Sequence, residues 1–171
     1  MAGSNAQGSP PQAARRRELI ANIAACVGAA LFGNLLTFLL RAFEDYDAIA
    51  RPDWAPPGPL IGAVWLVLFA MHGAARGLLG SIPGAAAGRA RLAVTVLVAH
   101  NVAYAVYALP FVVETRLPLL LGNLTAITLC AYAAGLAWPI SRPAALLLLP
   151  MIAWVFFATV LLSGIIALEG L

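Results

Sequence analysis

Lysine is absent from the chain, so all ten of its basic side chains are arginines, set against seven acidic residues. Charge of either sign is scarce, at 10% of residues, while 63% are apolar. That balance excludes a soluble globular domain and points to an integral membrane protein. The net charge of +3 comes with no lysine-rich patch. It reads as membrane orientation, and no nucleic-acid partner is expected. Cysteine is nearly absent too. Cys26 and Cys130 lie far apart in apolar runs, with no CxxC or Cys/His companion, which excludes a redox pair or metal centre and leaves buried thiols. His72 and His100 have no third ligand and no HExxH spacing, so no metal site is expected, although axial ligation of a haem remains an alternative for them. No Ser/His/Asp set, carboxylate pair or phosphate loop occurs, so no catalytic residue is assigned.

Long apolar runs are abundant. Hydropathy predicts an all-α bundle of five transmembrane helices at about 19–40, 59–79, 92–113, 117–137 and 144–168. Each is long enough for a hydrocarbon core of about 30 Å at 1.5 Å per residue. They make a single membrane domain over 19–168. Residues 1–18 read as a disordered basic tail, polar and proline-containing before Arg15, Arg16 and Arg17. The run after those arginines is too long for a signal-peptide core. The connections 80–91, 114–116 and 138–143 are short, so consecutive helices should be antiparallel neighbours. Only the 41–58 loop is long.

Arginine placement predicts topology. With the N-terminus inside, the cytoplasmic side collects Arg15, Arg16, Arg17, Arg76, Arg89, Arg91 and Arg142, and the other side Arg41, Arg51 and Arg116. The expectation is a cytoplasmic N-terminus and a non-cytoplasmic C-terminus. The acidic segment Glu44-Asp45-Tyr46-Asp47 lacks calcium-loop spacing and reads as a solvated part of the long loop.

Within the spans, a few residues break the apolar pattern. Pro56 and Pro57 end the loop, and Gly58-Pro59 opens the second helix. Along that helix Ile61, Trp65, Phe69, His72 and Arg76 share one face, too aromatic and polar for lipid contact. Arg76 is expected to snorkel to the interface. In the third helix His100, Asn101, Tyr104 and Tyr107 form a polar and aromatic face. An amide in a span is costly unless paired, so Asn101 should point inward, either to an interhelical bond or to a cavity, and Tyr104 carries the same two readings. Pro150, Trp154 and Phe157 lie on one face of the fifth helix beside Ala158, where the proline would bend the helix. Small-residue stripes, including Gly122, Ala126, Cys130, Ala133 and Ala137, predict close helix contacts within the bundle or between protomers.

Three segments, in order, resemble a known family. Trp54-Ala55-Pro56-Pro57 followed by Val64-Trp65-Leu66-Val67-Leu68-Phe69 is similar to the second-helix start of the tryptophan-rich sensory protein and peripheral benzodiazepine receptor (TspO/MBR) family, the translocator proteins. Asn101-Val102-Ala103-Tyr104 resembles that family's Asn-x-x-Trp, and Pro150-Met151-Ile152-Ala153-Trp154 its Pro-Tyr-x-x-Trp. The chain departs from the pattern at Asp53, Phe69, Tyr104 and Leu161-Leu162. The resemblance implies a five-helix bundle, often a homodimer, with a loop-capped pocket that binds porphyrin, haem or sterol. Carried over by position, the ligand-binding residues are Trp54, Trp65, Phe69, Asn101, Tyr104, Trp154 and Ala158, with Asp53, Pro56 and Pro57 forming a lid hinge in the capping loop 41–58.

The function this implies is a membrane receptor or carrier for a hydrophobic planar ligand, in sensing, transport or tetrapyrrole homeostasis. No cofactor is required, and porphyrin or haem enters as a ligand. Two rivals stand beside it: a porphyrin-degrading membrane enzyme, and a membrane scaffold with a vestigial pocket.

Overall fold

A computed structural model describes residues 12–39, 50–108 and 117–169. The described residues are helical except for short connections: α1 (Gln12–Leu39), α2 (Gly58–Gly80), α3 (Ala85–Ala108), α4 (Leu117–Ala137) and α5 (Arg142–Glu169). Among these, α1, α2, α4 and α5 are long and apolar enough to cross a membrane. α3 is of similar length but carries Arg89, Arg91, Thr95, His100 and Asn101. Large apolar side chains such as Phe32, Phe38, Val67, Leu124 and Phe156 stand exposed on the outside of the bundle. A soluble protein could not leave such a surface in water, and the protein is an integral membrane protein.

Two helix starts differ from the hydropathy reading. α1 begins at Gln12, so residues 12–18, expected in a disordered tail, form its first turns. Alanine and arginine are good helix formers, and Glu18 pairs with Arg91 at 3.3 Å, which ties that end to α3. α3 begins at Ala85, well before residue 92, because Ala85, Ala86 and Ala87 favour helix where Arg89 and Arg91 depress the hydropathy. The connection from α2 therefore shrinks to residues 81–84. Ser81 closes α2 by donating its hydroxyl to Leu78 O at 2.8 Å, and Gly84 turns the chain at φ 114°, a conformation open to glycine. Residues 1–11, 40–49, 109–116 and 170–171, including half of the predicted capping loop and the acidic segment, lie outside the described residues.

The proline-rich start of α2 works as its sequence implies. Pro52 O accepts from Ala55 N at 2.9 Å in a turn, and Pro57, extended at ψ 148°, is the N-cap whose carbonyl accepts from Leu60 N at 3.0 Å. Ser141 precedes α5 and caps it, its hydroxyl accepting from Ala144 N at 3.4 Å.

The main core belongs to α2, α3, α4 and α5. Leu68, Leu79, Val94, Leu97, Leu148, Met151 and Val155 interlock there over the alanine-rich face of α4. Gly122, Ala126, Cys130, Ala133 and Ala137 are all buried, so this stripe serves contacts within the bundle. α1 stands outside that core and packs on α2 and α3 around a smaller cluster of Cys26, Ala30, Phe69 and Val98. Close approach holds it in place. A Cβ added at Gly73 would lie 2.6 Å from both Asn22 O and Ile23 Cα, so the α1 and α2 backbones touch. In a bilayer, where apolar surface alone does not drive helices together, such contacts carry association.

Candidate functional site

The two faces of α2 have different fates. Trp65, Phe69 and His72 run along one side with successive rings 6.2 Å apart, as their spacing predicted. That side is turned inward: Phe69 is 3% exposed and His72 fully buried, with α1 and Val98 of α3 against them. Trp65 is half-buried and packs against both clusters. Rotated from this face, Leu60, Ala63, Val64, Val67, Leu68 and Met71 line a groove of about 620 Å³ between α2 and α5. Its opposite wall is Pro150, Ala153, Trp154 and Phe157, the proline-aromatic face read from the sequence.

An aromatic ladder leads from the loop into this groove. Trp54, 52% exposed, meets Phe157 edge-on at 5.9 Å, and Phe157 stacks on Trp154 at 5.4 Å and 30°. The loop is seated on α5 at a glycine. A Cβ at Gly164 would stand 2.9 Å from Pro52 Cγ and 3.6 Å from Trp54 Cζ2. Asp53 is exposed in the turn, Pro56 is half-buried, and Pro57 opens the helix. Flat rings on one wall and aliphatic side chains on the other suit a planar apolar molecule.

Polar atoms in the bundle fall into two sets. Asn101, 3% exposed, has no partner for Oδ1 or Nδ2, and Trp154 Nε1 and both ring nitrogens of His72 are likewise buried and unpaired. Buried groups of this kind normally find partners, so unpaired ones mark places where a ligand or water is wanted. Tyr104 is the opposite case. Its hydroxyl lies 3.0 Å from Leu119 O and 3.1 Å from Asn123 Oδ1, and Asn123 Nδ2 donates to Thr159 Oγ1 at 3.0 Å, which donates to Val155 O at 2.8 Å. The Tyr104 ring lies against Gly122, where a Cβ would collide with it, and stacks with His100 at 6.1 Å. His100 Nε2 in turn lies 3.1 Å from Gly122 O.

The structure thus links Trp54 to Trp154 through Phe157 and groups Trp65 with Phe69 on another side of α2. Asn101 lies in the bundle interior, Tyr104 is turned to α4, and Ala158 sits half-buried one turn beyond Trp154. Sequence reasoning missed Asn123, a buried amide to which the argument made for Asn101 applies equally, and the aliphatic wall of α2, which ordinary lipid-facing residues resemble. It also missed the partners of Arg76, whose guanidinium donates Nε to Thr95 Oγ1 at 2.9 Å and bonds Asn22 Oδ1, because α1 and α3 both offer neutral oxygens at its level.

Comparison with known proteins identifies relatives. The uncharacterized membrane protein YtaB of Bacillus subtilis is 31% identical over 121 residues, covering 69% of this chain and 76% of that protein. The tryptophan-rich protein TspO of Bacillus cereus is 54% identical over a short stretch of 26 residues, 15% of this chain and 17% of that protein. The sequence model of the TspO/MBR family matches residues 22–168, from the glycine-packed α1 through the aromatic wall of α5, and the chain belongs to that family.

Proposed function

We propose that the protein is a membrane receptor or carrier for a hydrophobic planar ligand, a tetrapyrrole such as protoporphyrin IX or haem, with a sterol as the alternative occupant. The observation that carries this reading is the ladder Trp54, Phe157 and Trp154 along an apolar groove of about 620 Å³. Ring stacking and area burial would hold the ligand. In this reading all five helices span the bilayer, with the N-terminus cytoplasmic and the C-terminus outside, and the loop before α2 caps the groove. Pro56 and Pro57 stiffen the junction, and Gly164 seats the lid. The groove opens sideways past the exposed Leu60 and Val67, which gives a membrane-dissolved ligand a route in from the acyl-chain region. Family membership and the name of the tryptophan-rich relative support a sensory or transport role.

Titrating protoporphyrin IX into the purified protein in detergent should quench tryptophan fluorescence saturably. Trp154→Ala and Phe157→Ala should each weaken binding about tenfold, the weight of one lost stacking partner with its buried area. Unchanged affinity in both variants would remove the groove assignment. A new absorbing product formed with turnover would make the protein an enzyme instead.

A further inference from the structure

At the end of the bundle bearing the 81–84 turn, α1, α2 and α3 enclose two arginines in successive layers. In the outer layer Arg91 meets Glu18 at 3.3 Å beside Gly80, while its buried Nε has no partner. One turn deeper, Arg76 is held by Thr95 and Asn22, both neutral. The holders are themselves fixed. Asn22 Nδ2 donates to Glu18 O at 2.7 Å, and Thr95 Oγ1 donates to Arg91 O at 2.9 Å, which leaves their lone pairs for Arg76. A guanidinium has five N–H donors in a rigid fork. Two of those on Arg76 are used, and the half-buried side chain has no carboxylate partner among the described residues. Of the two cations only Arg91 meets a carboxylate, so Arg76 is left without a negative partner among the described residues.

We propose that this cleft binds the phosphodiester of an anionic phospholipid, with Arg76 as its principal cation and Arg91 Nε as a second donor. A phosphodiester carries the single negative charge that is missing and presents acceptors to an arginine fork. Ile20, Leu92 and Val96, on the same turns as these polar residues, are 53%, 63% and 45% exposed and offer apolar surface for acyl chains. Free phosphate has nothing to place against them, so the lipid is the better match. The site lies apart from the α2–α5 groove and does not depend on its ligand.

The test is native mass spectrometry of the full chain released from nanodiscs of phosphatidylcholine and phosphatidylglycerol with matched acyl chains. Wild type should retain one phosphatidylglycerol in preference to phosphatidylcholine. Arg89→Gln, an exposed arginine on the same end, should keep that preference. Arg76→Gln should lower it about fivefold, the weight of one arginine at an anionic surface. If Arg76→Gln fails to fold, Arg91→Gln, which leaves the Asn22 and Thr95 contacts in place, must show the loss. Equal retention of the two lipids by wild type, or undiminished preference in the folded variants, would overturn the proposal. So would displacement of the bound lipid by millimolar inorganic phosphate, which would make the site one for the free anion.

Discussion

At the scale of single residues, the polar groups inside the bundle divide into those that are finished and those that wait for a partner. Tyr104, Asn123 and Thr159 are finished, since Tyr104 and Asn123 donate to neighbouring helices and Thr159 donates to Val155 O of its own helix. Interhelical hydrogen bonds in membranes average about 0.6 kcal/mol, with a maximum near 1.7. Tyr104→Phe should therefore destabilise the protein by about 1 kcal/mol and Asn123→Ala by more, because the amide serves two partners. Thermal unfolding in detergent measures both, and the double variant should cost less than the sum. Asn101, His72 and Trp154 Nε1 belong to the second group. The sequence argument for Asn101 reached the right conclusion, that the amide points inward, because the energetics of a buried amide are independent of fold. Whether it meets a neighbour or a cavity depends on helix rotation, which spacing within one helix cannot give.

At the scale of elements, the helices are specified by small residues as much as by large ones. α1 and α2 touch backbone to backbone at Gly73, so Gly73→Ala must push Asn22 and Ile23 of α1 away and should lower stability by about 1–3 kcal/mol, as overpacking does. Gly28 on the same α1 has open space around its Cβ position, and Gly28→Ala should be neutral or slightly stabilising. Comparing the two by thermal unfolding separates contact from propensity. At Gly164 the neighbour is the loop. Gly164→Ala should displace Pro52 and Trp54, loosening the loop and weakening porphyrin binding while leaving overall stability nearly unchanged, which fluorescence titration and unfolding together can read. Element existence was legible in hydropathy, and so were the proline start of α2 and the aromatic face of α5. The starts of α1 and α3 were not, because arginine lowers hydropathy while favouring helix. The α2 groove face escaped as well, since Val64, Val67 and Met71 carry no signal that separates a groove from a lipid contact.

At the scale of the whole molecule, the bundle is a four-helix core with α1 attached to it, and α3 places His100, Asn101 and Tyr104 in its middle. On that helix His100 and Tyr104 both find oxygens on α4. The consequence concerns biogenesis. A nascent chain that has delivered α3 to the translocon has not yet delivered the segment that satisfies it, so α3 should wait and enter the bilayer as a hairpin with α4. Chains truncated after Ala108 should leave α3 largely uninserted, and chains extended through Ala137 should insert it. Glycosylation-site mapping in microsomes would record the difference. Replacing His100 and Asn101 with leucine should let α3 insert without its partner. The polar contacts between these two helices would then act as a timing signal in assembly as well as a bond in the finished fold.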